Sequence, residues 1–221
     1  MDTYLVTGAN RGIGLEYCRQ LKEKGSKVIA VCRSAADELQ NLGVSVKTDV
    51  DITSDESVAE LVKSLDGQLI DVLINNAGIL EPVGLNRLDL NSIRRQFEVN
   101  ALAPLRLTQA LLPNLKRGSK IALMTSRMGS IEDNTSGGSY GYRMSKVALS
   151  MAGKSLSQDL KAKGIAVAIL HPGLVKTRMT GFTDSGITPE QSVKGLLARI
   201  AALNLENTGT FWHSNGEVLP W

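Results

Sequence analysis

Tyr142 and Lys146 stand four residues apart, with Arg143, Met144 and Ser145 between them. On a helix that spacing puts both side chains on one face, one turn apart. A free phenol titrates near pH 10 and exchanges protons poorly at neutrality. An adjacent ammonium favours phenolate, so the pair is expected to lower the tyrosine pKa and make Tyr142 an acid/base for a carbonyl or alcohol oxygen. Taken alone, such a pair is also consistent with a packed Tyr beside a solvated Lys. Tyr140 is a rival phenol, but four residues later it meets Met144 rather than a cation.

Ser126 lies 16 residues before Tyr142, just after an apolar run at Lys120–Met124. A hydroxyl at the end of such a strand can donate to a substrate oxygen. Thr125 and Ser130 are alternatives, and Gly129, three residues on, favours Ser126. Asn100 precedes Pro104 by four residues. Proline has no N–H, so the Asn100 carbonyl loses its helical partner and the helix bends. A carbonyl freed near Lys146 could hold a proton-carrying water; a kink serving only packing is the competing explanation.

The first apolar run passes directly into Thr7-Gly8-Ala9-Asn10-Arg11-Gly12-Ile13-Gly14, and a helical pattern follows at once. A glycine turn between strand and helix lets main-chain N–H groups approach a pyrophosphate. Gly8, Asn10, Arg11, Gly12, Ile13 and Gly14 are therefore candidate dinucleotide contacts. The G-x-x-x-G-x-G spacing departs from the commoner G-x-G-x-x-G, and it lacks the Lys-Ser/Thr ending of a triphosphate loop. The second strand ends in Val31-Cys32-Arg33, without the carboxylate that binds the ribose hydroxyls of NAD. Arg33, with Arg11 opposite, can pair with a 2′-phosphate, which favours NADP(H).

These residues need a frame. Tyr4–Val6, Lys27–Val31, Val44–Lys47, Asp71–Ile74, Lys120–Met124 and Ile165–Leu170 read as strands, mostly apolar on both faces, as a buried parallel sheet requires. Ile13–Glu23, Asp55–Leu65, Leu90–Leu115 and Tyr142–Lys161 carry helical periodicity. Gly25, Gly43, Gly118 and Gly164 mark the helix-to-strand returns. Alternating β and α segments imply right-handed crossovers and a single α/β domain over residues 1–221: a Rossmann-type, doubly wound parallel sheet with helices on both faces. The C-terminal stretch from Gly209 reads as an edge strand and turn, with Trp212 and Trp221 free to pack on the core or on a neighbour.

The charge of +3 arises from 25 basic and 22 acidic residues spread along the chain, so no nucleic-acid or membrane partner is expected. Cys18 and Cys32 form no CxxC motif, no apolar run spans a bilayer and no basic leader precedes the first strand, consistent with a cytoplasmic protein. His171 stands without other ligands at metal spacing, and no metal site is expected.

The motifs fall in a known order: the Thr7–Gly14 turn, Asp51-Ile52, Asn75-Asn76-Ala77-Gly78, Asn100, Ser126 with Gly129, Tyr142 with Lys146, and Pro172-Gly173 with Val175 and Thr177. Over nearly its whole length the chain resembles the short-chain dehydrogenase/reductase superfamily. The Ser126–Ser130 and Gly137–Arg143 stretches look most like C-factor-like and carbonyl-reductase-like members. The resemblance implies a hydride transfer between NADP(H) and a small carbonyl or alcohol substrate, with Tyr142 as proton donor. Asn100, Ser126, Tyr142 and Lys146 would be the catalytic set, with Asn100 in a proton relay. Lys146 would also hydrogen-bond the nicotinamide ribose, beside which Tyr142 sits. It further implies that Asp51 and Ile52 flank the adenine, although Asp49-Val50 is a competing alignment. Asn76, Ala77 and Gly78 would lie along the adenine ribose, and Pro172, Gly173, Val175 and Thr177 at the carboxamide.

By the same analogy the long helices pair into a homodimer or homotetramer. Lys176–Thr188 is expected to form a short mobile cover, with Met128, Met179 and Phe182 lining the pocket. The polar loop Glu132–Gly138 should bulge away from the site. The alternatives are a C-factor-type signalling or regulatory protein that binds nucleotide with little turnover, and a doubly wound methyltransferase. The intact Asn100-Ser126-Tyr142-Lys146 set argues against the first, and Arg33 against the second.

Overall fold

A computed structural model describes all of residues 1–221. Seven strands run in parallel: β1 (Thr3–Thr7), β2 (Lys27–Val31), β3 (Ser45–Lys47), β4 (Ile70–Asn75), β5 (Leu115–Met124), β6 (Ala166–His171) and β7 (Phe211–His213). Their order is β3-β2-β1-β4-β5-β6-β7. The order reverses at β1, between β2 and β4, so a crevice opens beyond the carboxyl ends of β1 and β4, where such sheets bind ligands. The fold is the expected Rossmann-type doubly wound sheet.

Strand alternation builds two cores, one on each face. Val6, Ala30, Ile74, Ala122 and Ala168 face the helices α1 (Gly12–Glu23) and α7 (Pro189–Ala202), which contribute Leu15, Leu21, Leu196 and Ile200. Between β2 and β3 lies one short turn of helix, α2 (Asp37–Gln40), whose Leu39 joins that core. Leu5, Ile29, Leu73, Ile121 and Val167 face the other side, against α3 (Asp55–Ser64), α5 (Ala103–Ala110) and α6 (Tyr140–Asp159). Each buried Val, Leu or Ile among them contributes about 1.5–3 kcal/mol. The two-sided core therefore holds the strand ends, and the loops they carry, in a fixed relation. No helix is long and apolar enough to cross a membrane.

Helix starts follow their local chemistry. Ser54 Oγ accepts the Ser57 N–H at the start of α3, and Thr188 with Gln191 forms a capping box ahead of Pro189 in α7. Where one helix was expected over Leu90–Leu115, there are two, and β5 already begins at Leu115. The first, α4 (Leu90–Phe97), starts at Asp89, whose carboxylate accepts the N–H groups of Asn91 and Ser92. A π-helical turn, Glu98–Leu102, joins it to α5. Pro104 cannot donate to Asn100, and the Ala103 N–H reaches back to the Glu98 carbonyl instead, so the chain widens rather than only bending. The α6 helix begins at Tyr140, two residues earlier than its periodicity indicates.

At the far edge, Trp212 packs on the core shared with α1 and α7. The Trp221 ring stacks on Phe211 at 5.5 Å. The main-chain oxygen of Trp221 also accepts the N–H groups of Ile131 and Glu132, both at 2.9 Å.

Candidate active site

Because all strands are parallel, the segments after β1, β4, β5 and β6 meet at one end of the sheet. Thr7 Oγ1 accepts the main-chain N–H groups of Asn76 and Ala77, each at 3.0 Å, and Asn76 Nδ2 donates to the Thr7 carbonyl at 2.9 Å. These bonds lace the end of β1 to that of β4. Gly8 has φ +64°, and its Cα lies so close to Ala77 that a Cβ would come within 2.9 Å of the Ala77 Cα. A Cβ on Gly14 would penetrate the Gly8 carbonyl oxygen and approach Asn76 Nδ2 to 2.6 Å.

The main-chain N–H groups of Gly12, Ile13 and Gly14 have no partner in the chain, and no side chain caps α1. Three open donors at a helix N-terminus, beside glycines that keep the surface bare, fit the pyrophosphate of a dinucleotide.

Arg11 and Arg33 are both exposed, and neither is paired with a carboxylate. The exposed Asp51 accepts the Thr53 N–H at 2.9 Å and the Thr53 hydroxyl at 2.7 Å, and these bonds hold its carboxyl below the usual range, with smaller help from Arg33 and Arg106. Arg33 and Asp51 therefore share an edge of the crevice. Ser57 Oγ accepts the Asp51 N–H and donates to the Asp49 carbonyl. Ile52 is buried in the core beside Val50, so its side chain supports this edge from beneath.

Tyr142 and Lys146 lie together on α6, both buried, with Nζ 5.6 Å from the centre of the phenol ring. The amine sits over the ring and donates to the Met124 carbonyl at 2.8 Å. Burial pushes the Tyr142 pKa up to about 12, opposed by the Ser126 hydroxyl, and pushes Lys146 down to about 8. This reverses the expected lowering of the tyrosine pKa. Desolvation disfavours the phenolate more than the Ser126 hydroxyl stabilises it, and burial also disfavours the charged form of Lys146. Tyr142 is thus a proton-loaded phenol, and Lys146 the group that titrates nearer neutrality.

Ser126 caps a short turn, Arg127–Gly129, by accepting the Met128 N–H at 3.1 Å. Gly129 packs directly on the α6 backbone: a Cβ there would lie 2.8 Å from the Lys146 carbonyl carbon. This close approach seats Ser126 beside the phenol. Asn100 clasps Ile79, with Oδ1 accepting its N–H at 2.8 Å and Nδ2 donating to its carbonyl at 2.9 Å and to Ser145 Oγ at 2.9 Å. A Cβ on Gly78 would stand 3.1 Å from Asn100 Oδ1 and 3.5 Å from Lys146 Nζ, so both groups flank that glycine.

A cavity of about 460 Å³ opens over Ser126 and Tyr142. Ile13, Pro172, Gly173, Val175 and Thr177 line it, as do Met128 and Met179, whereas Phe182 is exposed and takes no part in the lining. The segment expected to be a loose cover is pinned. Lys176 N–H bonds the Ile187 carbonyl at 2.9 Å, Ile187 N–H bonds that of Leu174 at 2.8 Å, and Thr177 and Thr180 form a capping box. The Glu132–Gly138 loop does not wholly bulge outward, since Asp133 reaches the cavity and pairs with Arg127 at 2.6 Å.

The cavity also exposes residues that spacing did not single out as site groups: Arg127, Asp133, Arg143, Leu80 and His171. The His171 ring meets His213 edge-on at 4.9 Å, and its buried Nδ1 has no partner. Burial first, then His213, Arg127 and Lys146, pulls its pKa down to about 3 from 6.5. Between those values the unfolded chain binds a proton that the folded one refuses, so stability falls as pH drops through the window. Thermal melts at pH 7 and pH 4 should show a smaller acid loss in His171→Gln than in the parent protein; equal losses would contradict it.

A crevice at the strand ends, a bare glycine turn and a buried Tyr–Lys pair define a dinucleotide-binding α/β protein of the oxidoreductase type. A family profile described as short chain dehydrogenase matches residues 2–187, and the chain belongs to that family. It is 43% identical, over the full length of both proteins, to a 1-hydroxy-2-glutathionyl-2-methyl-3-butene dehydrogenase of Rhodococcus sp. (strain AD45). It is 46% identical to the C-signal protein of Myxococcus xanthus, over 69% of this chain and 93% of that one. Among solved structures, an NADPH-bound carbonyl reductase from chicken fatty liver superposes with a TM-score of 0.92 at 31% identity, covering 100% of this chain and 99% of the other.

Proposed function

We propose that this protein is an NADP(H)-dependent carbonyl reductase, working in reverse as an alcohol dehydrogenase, and that residues 1–221 act as one domain. The observation that carries this reading is that Ser126 and Tyr142 line one cavity that also reaches Ile13 of the glycine turn, with the Lys146 amine buried behind Tyr142, 5.6 Å from the centre of its ring. When bound, the dinucleotide supplies the hydride. Gly8, Asn10, Gly12, Ile13 and Gly14 receive its pyrophosphate, Asn76, Ala77 and Gly78 its adenine ribose, and Asp51 and Ile52 the adenine edge. Pro172, Gly173, Val175 and Thr177 face its carboxamide.

Ser126 donates to the substrate oxygen and aligns the carbonyl. Tyr142 gives its phenolic proton to that oxygen as the C=O π bond breaks, forming the O–H bond of the alcohol, while the new C–H bond would take the hydride that the bound dinucleotide would supply. With a pKa near 8, Lys146 returns a proton to Tyr142 at ordinary pH. Asn100, whose Oδ1 lies beside Gly78 as the Lys146 amine does, holds the exit of that relay.

Arg11 and Arg33 select the 2′-phosphate, a preference in keeping with the NADPH in the chicken enzyme. NADPH should bind at least about tenfold more tightly than NADH, since charge-assisted pairs contribute about 1.5–3 kcal/mol. Arg33→Asp should narrow that gap; equal affinities in the parent protein, by fluorescence titration, would defeat it.

Steady oxidation of NADPH with a panel of ketones, aldehydes and quinones tests the activity. The identity to C-signal favours a second reading, a signalling or regulatory protein that binds nucleotide with little turnover, and binding without oxidation across that panel would support it instead. A homodimer or homotetramer would cover the exposed Leu102 and Leu105 and the exposed Met144 and Met151 of α6. Light scattering at several concentrations checks this; a monomer throughout would refute it. Free, buried Cys18 and Cys32 agree with a reducing, cytoplasmic setting.

A further inference from the structure

Two arginines reach the cavity, and their circumstances differ. Arg127 donates to Asp133 at 2.6 Å and to Glu217 at 3.2 Å, so its charge is compensated twice. Arg143, the residue after Tyr142 on α6, meets no carboxylate. Its Nε donates to the Gly137 carbonyl at 3.2 Å, Nη1 to the Met128 carbonyl at 3.2 Å, and Nη2 to Ser136 Oγ at 2.8 Å. A guanidinium carries five N–H donors. Three bonds fix the fork, one N–H remains on each terminal nitrogen, and the whole positive charge is left without a counter-ion.

The rest of the wall is largely apolar, with Leu80, Met128, Leu174 and Met179. A mostly apolar pocket takes its orientation and specificity from a few placed polar groups. Here the unspent group is an oriented cation one residue from the phenol. A neutral substrate would leave it uncompensated, whereas a carboxylate would satisfy its charge and its open donors.

We propose that Arg143 is the specificity-determining residue of this cavity, and that the substrate is a carbonyl compound, or its alcohol, with an apolar body and a carboxylate received by Arg143. This rests on the reductase reading and adds the substrate class. The three bonds to the Met128–Gly137 wall also allow Arg143 to be a clasp for that wall alone, and the test separates the two roles.

Reduction of 4-oxo-4-phenylbutanoate is compared with reduction of its methyl ester, the two differing in charge at one end. The parent protein should prefer the acid by about tenfold or more in kcat/KM, chiefly through KM, and the preference should shrink as salt is raised. In Arg143→Gln the acid should lose about tenfold more than the ester, and Arg143→Lys should restore part of the preference. Thermal melts of each variant report the clasp. Equal losses for acid and ester in Arg143→Gln, or no preference for the acid in the parent protein, would overturn the assignment. Binding of 4-phenylbutanoate, measured by calorimetry in the presence of NADP⁺, separates the two levels. Arg143-dependent binding without reduction of either ketone supports the receptor and counts against the reductase; brisk reduction of both without discrimination does the opposite.

Discussion

Replacing Tyr142 with Phe should lower kcat for carbonyl reduction by roughly 10²- to 10⁴-fold, the range of a lost general acid. The ring is buried beside Lys146, and its hydroxyl stands near Ser126, so the substitution removes one oxygen and little packing. The loss should therefore fall on turnover, with the melting temperature nearly unchanged. Ser126→Ala should give a smaller loss, because the phenol remains to supply the proton. Stopped-flow oxidation of NADPH in a single turnover measures the chemical step directly. A Tyr142→Phe protein with parental rates would remove the proposed proton donor.

Gly14→Ala should damage both binding and folding. The added methyl group would collide with the Gly8 carbonyl oxygen and with Asn76 Nδ2, two groups locked into the joint between β1 and β4. Neither belongs to a flexible chain end, so relief requires the first turn of α1 to move. Overpacking of this kind costs about 1–3 kcal/mol, or ~2–4 °C in Tm for each kcal/mol in a chain of this size. The displaced N–H groups of Gly12 and Ile13 should cost the dinucleotide more than about tenfold in affinity, the scale of one or two charge-assisted hydrogen bonds. Gly84→Ala is the control, since a Cβ there meets nothing within 4 Å. Equal melting temperatures and affinities for the two variants would contradict this account of the turn.

The framework was readable because its causes are local. Apolar runs such as Lys27–Val31 and Ile165–Leu170 advertise strands covered on both sides, and glycine placement marks the turns between elements. The Tyr142–Lys146 spacing and the Thr7–Gly14 turn were legible for the same reason, since each is a short motif whose geometry follows from one helix or one loop. Other features depend on what comes together in space. The π turn at Glu98–Leu102 follows from Pro104, yet the periodic Ile93, Phe97, Leu107 and Leu111 disguise it as one continuous helix. Arg143 hid between two conspicuous neighbours because its importance lies in Asp133 choosing Arg127 instead. The sign of the Tyr142 pKa shift is not legible in the sequence because burial is a property of the whole fold, and here it outweighs the lowering by the Ser126 hydroxyl.

The reversal sharpens what the site must do. A phenol held protonated is ready to donate, but it must lose that proton at a useful rate once the reaction begins. Lys146, weakened as a cation by burial, can take part in the exchange, and the positive charge of the oxidised nicotinamide can add to it. The most direct test is the phenolate absorbance of the parent protein minus that of Tyr142→Phe, followed between about pH 6 and 10, with and without saturating NADP⁺. The account predicts no ionisation of Tyr142 in that range for the protein alone and a clear ionisation step once NADP⁺ is bound. Identical titrations in the two conditions would contradict it.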